Sequence, residues 1–228
     1  VCEPPGDVSM PTCQSLVAFF GVAVLLALSP GPDNLFVLMQ SVQRGWRVGI
    51  AVVVGLCLGV VVHTMAVALG LAAVFAASSI AFTVLKWCGA AYLAYLAWGA
   101  WRAPVSVGKP GNSASTESAI SYEISSKELL TMVRRGVVMN LTNPKVLIFF
   151  LAFLPQFADP AIGPVGPQIF VFGAVFILAA FLVFGAIALF SGAFGNLLLR
   201  SPRAQFWLNK ITAVVFVGLA VKLATAQR

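Results

Sequence analysis

Ala27-Leu28-Ser29-Pro30-Gly31-Pro32-Asp33-Asn34 interrupts a long apolar run that begins near Leu16 and resumes at Leu35-Phe36-Val37-Leu38-Met39. Pro30 disfavours helical geometry at Ser29, so a first half-helix is expected to end near Leu28. Gly31 is free to take an unusual backbone angle, and Pro32 suits the first position of a second half-helix, where a missing N–H costs nothing. The reading is a membrane helix broken in its middle, with Asp33 in the first turn of its second half. A lone carboxylate at bilayer depth costs about 2.5–3.5 kcal/mol on insertion scales, so a compensating partner is required.

The rest of the chain supports a membrane setting. Of 228 residues, 60% are hydrophobic and 9% charged, and the mean hydropathy is +0.98. Soluble domains carry about 25% charged residues, so the fold class is an all-α polytopic membrane protein. The net charge of +7 does not point to nucleic acid, because the basic residues lie between apolar runs without aromatic interleaving. Cys2, Cys13, Cys57 and Cys88 show neither a CxxC pair nor metal-ligand spacing, and no metal or cofactor is expected. Cys57 and Cys88 read as small packing residues, while Cys2 and Cys13 could pair if both lie outside the cytoplasm. Glu3 and Asp7 precede the first apolar run and no Lys or Arg does, which is not a signal-peptide pattern. With Met10 just ahead of that run, residues 1–9 are read as an upstream-start extension.

The apolar runs mark six helices, at about 14–43, 48–75, 81–101, 133–157, 168–199 and 206–225. Arg44 and Arg47 separate the first two. Arg102, Lys109, Lys127, Arg134 and Arg135 lie between the third and fourth, and Arg200, Arg203 and Lys210 between the fifth and sixth. The 76–80 turn and the 158–167 loop carry no Lys or Arg. The positive-inside rule then places the basic loops in the cytoplasm and both termini outside. Residues 102–128, rich in Ser, Gly and Pro, read as a flexible cytoplasmic linker between repeat one (about 14–101) and repeat two (about 129–225) of a single transmembrane domain. Ser125-Ser126-Lys127-Glu128 has capping-box spacing, so a helix is expected to start there and run into the fourth span.

The fourth span repeats the anomaly of the first. Asn140-Leu141-Thr142-Asn143-Pro144-Lys145 breaks it, with Asn143 suited to an N-cap and Pro144 to the first helical position. Three helices separate the two breaks, so the two halves run in opposite senses: two inverted three-helix repeats with broken first and fourth helices. Breaks at matching positions of inverted halves point to a transporter binding site.

Ser29-Pro30-Gly31-Pro32-Asp33-Asn34, then Gly45-Trp46-Arg47-Val48-Gly49, Gly55 and Gly59, resemble the signature of the LysE/RhtB family of amino-acid exporters. Lys86-Trp87-Cys88-Gly89-Ala90-Ala91-Tyr92-Leu93, Asn143-Pro144-Lys145 and Pro155-Gln156-Phe157 continue it, in order, from Leu16 to about Lys222. Residues 1–12 and the long 102–128 linker depart from the family pattern. The resemblance implies a bacterial inner-membrane exporter of amino acids or related metabolites, driven by the proton gradient. It leaves the particular substrate undefined, and a homodimer remains open.

Half-helix N-termini are partly positive, and those at Pro32 and Pro144 are expected to converge near the midplane. Asp33 agrees with its local dipole, whereas Lys145 opposes its own and so wants an anion. A substrate carboxylate would meet Lys145 and the half-helix N–H groups, and a substrate ammonium would meet Asp33. Without substrate, Asp33 and Lys145 are expected to pair with each other, and a purely structural ion pair is the competing reading. His63 sits mid-span, as a proton relay or as a hydrogen-bonded packing residue. Asn34, Gln40, Asn140, Thr142 and Asn143 are polar neighbours of the breaks, some of which must satisfy freed backbone groups. Gly55 and Gly59 are expected to let helices approach closely. Phe36, Phe149 and Phe150 could line the pocket, but in a chain with 18 Phe lipid contact is the default reading. An intramembrane enzyme is the alternative function, but the cysteines have no partner in the second half and His63 has no serine-protease-like motif. A small-ion exporter is disfavoured by the scarcity of acidic, His and Cys residues in the spans.

Overall fold

A computed structural model describes residues 10–77, 79–103, 125–191 and 202–225. Among these residues every regular element is helical, in chain order α1 (Cys13–Leu28), α2 (Pro32–Arg44), α3 (Trp46–Ala77), α4 (Ser79–Arg102), α5 (Ser126–Leu141), α6 (Pro144–Ile148), α7 (Val165–Leu189) and α8 (Pro202–Thr225). A π-helical turn (Phe149–Phe153) and a 3-10 turn (Leu154–Phe157) extend α6. Three helices are long and apolar enough to cross a bilayer, and five crossings result if each bent pair counts as one. Cys2, residues 104–124 of the linker and residues 192–199 of the expected fifth helix lie outside the described residues.

The breaks form for the reasons the prolines supply. α1 ends at Leu28, and Ser29 before Pro30 is extended at φ −56°, ψ 124°. α2 starts with Pro32 at its first position and bends 62° from α1. Gly31 itself is ordinary extended backbone at φ −169°, ψ 176°. The expectation of an unusual angle there is therefore wrong. A Cβ at this position would lie 3.1 Å from Lys145 Nζ, so a larger residue would press on the lysine head group. The left-handed angle falls instead at Gly45, φ 92°, which closes α2 and lets α3 begin at the next residue.

Asn143 caps α6, its side chain accepting from Lys145 N, and α6 bends 54° from α5. Pro155 has no N–H to give the carbonyl of Leu151, and the backbone just before it widens: Leu154 N–H reaches back to Phe149 O.

The start of the fourth span agrees with the sequence reading. α5 starts at Ser126, and Ser125 caps it by accepting from Lys127 N. The capping box is only half made, because the Glu128 carboxylate pairs with Arg44 at 3.1 Å, tying the end of α2 to the start of α5. α7 is described from Val165 to Leu189, and residues 192–199 of the expected fifth helix lie outside the described residues.

α3 packs against α5 and α7, α1 against α7, α2 against α3, and α4 against α8. The α3–α5 crossing is built on absent side chains. A Cβ on Gly136 would lie 2.5 Å from Val52 O, one on Gly55 would overlap Val133 O, and one on Gly59 would lie 2.7 Å from Asn140 Cβ. Backbone-to-backbone approach of this kind supplies the dispersion contact that holds helices together in lipid, where no hydrophobic drive acts between them. Thr64 fills the notch at Gly173 in the same way on α7.

Phe149 and Phe150 do not face lipid. Both are wholly buried, within an aromatic cluster that includes Phe19, Phe153, Phe157, Phe172 and Phe176. Cys57 packs against the core as expected, whereas Cys88 is exposed.

Candidate functional site

A helix that stops inside a membrane leaves its last carbonyls without donors, and each must find one. At the end of α1 the donors come from across both breaks. Lys145 Nζ donates to Leu26 O and to Ser29 O, both at 3.2 Å, and Asn34 Nδ2 donates to Ala27 O at 2.7 Å. Lys145 thus sits beyond the α1 C-terminus, where a cation is favoured, although it also lies in the first turn of α6, where it is not. Asn143 performs two tasks at once. Its Oδ1 accepts from Lys145 N at 3.0 Å, and its Nδ2 donates to Asp33 Oδ2 at 2.7 Å. One amide therefore joins the two half-helix N-termini.

Asp33 and Lys145 do not form the direct ion pair expected from the sequence. The lysine ammonium is drawn to the bare carbonyls of α1, and the carboxylate to the Asn143 amide. Both side chains nevertheless line one cavity, together with Asn140. As it stands the cavity is small, about 10 Å³. Its remaining walls come from α1 (Leu26, Ala27), α3 (Leu56, Val60), α6 (Val146) and α7 (Phe176, Ala180, Phe184).

The polar inventory of this cavity is unbalanced. Asp33 Oδ1 and Asn140 Oδ1 are buried and have no hydrogen-bond partner, and the nearby Ser29 Oγ, Asn34 Oδ1 and Gln40 Oε1 share that condition. Every orphan atom named is an oxygen that can accept. Buried acceptors without donors cost about 1–3 kcal/mol each, so the site is poised to receive a group rich in N–H.

The structure thus brings Asp33, Asn140 and Lys145 to the cavity and places Asn143 between them. Asn34 is turned back to the end of α1. His63 does not line the cavity; its Nε2 lies 3.4 Å from Asn140 O, to which it donates, and its ring lies 5.8 Å from that of Phe150. It supports the carbonyl at the end of α5. Thr142 likewise satisfies backbone, donating to Val138 O at 2.9 Å. Ser29, Pro30, Gly31, Pro32 and Pro144 form the breaks assigned to them. The wall residues on α3 and α7 were not singled out from the sequence. Phe176, Ala180 and Phe184 recur at the i, i+4, i+8 spacing of one helix face, but α7 is apolar on every side and the spacing does not stand out.

Two broken helices whose second halves begin at a buried carboxylate and a buried lysine, over one cavity, make the architecture of a membrane transporter. The chain belongs to the LysE type translocator family, whose model matches residues 12–227. It is 35% identical to an uncharacterized membrane protein of Vibrio cholerae over 92% of this chain and 97% of that one. It is 30% identical to the homoserine/homoserine lactone efflux protein of Salmonella typhimurium, over 92% and 96% of the two chains. A leucine efflux protein of Salmonella typhimurium is 29% identical over 90% and 92%. No solved structure matches the chain.

Proposed function

We propose that this translocator exports amino acids or closely related zwitterionic metabolites across the bacterial inner membrane, in exchange for protons. The observation that carries the reading is the pair of unpartnered oxygens, Asp33 Oδ1 and Asn140 Oδ1, on residues that line the same cavity as Lys145. A substrate ammonium supplies the missing donors. The substrate carboxylate takes the third N–H of Lys145, two being spent on Leu26 O and Ser29 O, and the N-terminus of α2, which has no side-chain cap. The relatives named for homoserine and leucine efflux favour amino acids as the class.

When the ammonium leaves, a proton can neutralise the buried Asp33 carboxylate in its place, so substrate and proton compete for one group. His63, bonded to the Asn140 carbonyl, is the adjacent titratable group and the candidate relay. Export into everted vesicles is expected to require the proton gradient and to collapse with an uncoupler. Sodium-dependent transport indifferent to pH would remove Asp33 from the coupling step.

The membrane arrangement proposed is six spans in two inverted repeats within one domain, with α4 as the third span and α8 as the sixth. Packing favours it. A two-fold exchange of the halves turns the α3–α5 contact into α7–α1, and maps α3–α7 and α4–α8 onto themselves; all four pairs are in contact. Charge favours the orientation with both termini outside. Arg44 and Glu128 meet at one end, and Lys210 donates to Trp101 O at 3.2 Å where α4 ends and α8 begins. A reporter inserted near Ser113 is expected to be cytoplasmic and one fused after Arg228 active on the outer face. The reverse at both positions would overturn the orientation.

A further inference from the structure

Once the head group of an amino acid has used Asp33, Asn140 and Lys145, the cavity has no polar side chain left. What remains is hydrocarbon: Leu26, Leu56, Val60, Val146, Phe176 and Phe184. A substrate with a basic side chain needs a second buried anion. Among the described residues the other acids are Glu128, paired with Arg44, and Asp159, whose Oδ1 accepts from Ala161 N in the loop before α7. Neither lines the cavity. A substrate with an acidic side chain needs a second cation. Lys222 lies outside the cavity, with its Nζ 3.9 Å from the ring centre of Phe157. An ion entering such a wall unpaired would lose its hydration without compensation.

The two rings differ in how firmly they are held. Phe176 is wedged against Phe149 and Phe150, with ring centres 5.5 and 5.0 Å away. Among the described residues no ring stacks on Phe184. Ala180, one turn from each, leaves a notch between them on the same face of α7.

Building on the amino-acid reading above, we infer that the substrate's own side chain is uncharged and apolar, that it lodges in the α7 notch between Phe176 and Phe184, and that Phe184 sets its size. Phe176 forms the fixed wall and Phe184 the adjustable one.

The test is counterflow into proteoliposomes holding the purified full chain, with leucine, valine, methionine, phenylalanine, lysine and glutamate as labelled solutes. Leucine, valine and methionine are expected to exceed lysine and glutamate in kcat/KM by about 10-fold or more, the discrimination an apolar pocket can deliver. Phe184→Ala is expected to raise the phenylalanine-to-leucine ratio about 10-fold, with the milder Phe184→Leu moving it the same way. Exchange of lysine or glutamate as fast as leucine overturns the inference and leaves amino-acid export standing. An unchanged ratio in both folded variants overturns the role of Phe184. No exchange of any amino acid removes the export reading and this one together.

Discussion

Asp33→Asn accumulates in the membrane at close to the wild-type level and loses export. The amide keeps one oxygen to accept from Asn143 Nδ2, so the 2.7 Å link between the two half-helix N-termini survives. Lys145 keeps its carbonyl partners on α1 and is not stranded. What disappears is the negative charge and, with it, the one acidic side chain that lines the cavity among the described residues. A hydrogen bond to a charged group contributes about 1.5–3 kcal/mol, so kcat/KM for export falls about 10- to 100-fold. The proton requirement should vanish with it, since an amide cannot titrate. Initial efflux rates measured against the amount of protein in the membrane separate this from a folding defect. Wild-type efflux from a normally accumulating Asp33→Asn variant would exclude Asp33 as the substrate's counter-ion.

The breaks were legible because prolines act locally. Pro30, Pro32 and Pro144 dictate where helices stop and start whatever surrounds them, and Asn143 sits where an N-cap is required. The close α3–α5 crossing could likewise be read from Gly55 and Gly59, although the third glycine, Gly136, emerges only in three dimensions.

What the sequence could not give was the pairing of polar groups. Asp33 and Lys145 looked like partners because they are opposite charges in matching positions. The bare carbonyls of α1 compete for the lysine, and their demand is invisible in a string of Leu and Ala. The same holds for the cavity wall. In α7 hydropathy is high on every face, so no periodicity separates Phe176 and Phe184 from residues in lipid. The widened turn at Phe149–Phe153, just before Pro155, was likewise not read from the sequence.

The role of Lys145 divides these two levels most sharply. If it were held mainly by Asp33, removing both charges at once would relieve the strain that either single change creates, because breaking one side of a buried pair costs about 3–5 kcal/mol while deleting both can be nearly neutral. The geometry predicts otherwise. Lys145→Ala takes the donors from Leu26 O and Ser29 O, and an orphaned buried carbonyl costs about 1–3 kcal/mol. That penalty belongs to α1 and is independent of Asp33. Lys145→Ala is therefore expected to unfold at a markedly lower temperature, and adding Asp33→Asn should not restore it. Lys145→Arg, which keeps charge and donors, should recover most of the stability, if not the fit beside Gly31, whose missing Cβ leaves only 3.1 Å to the lysine nitrogen. Heat-step size-exclusion profiles of the four proteins in detergent provide the measurement. Asp33 and Lys145 line one cavity and share Asn143, so some coupling between the two changes is expected, but the double variant should still unfold well below wild type. A double variant that melts like wild type would mean that the two charges stabilise each other after all, and that Lys145 caps α1 only incidentally.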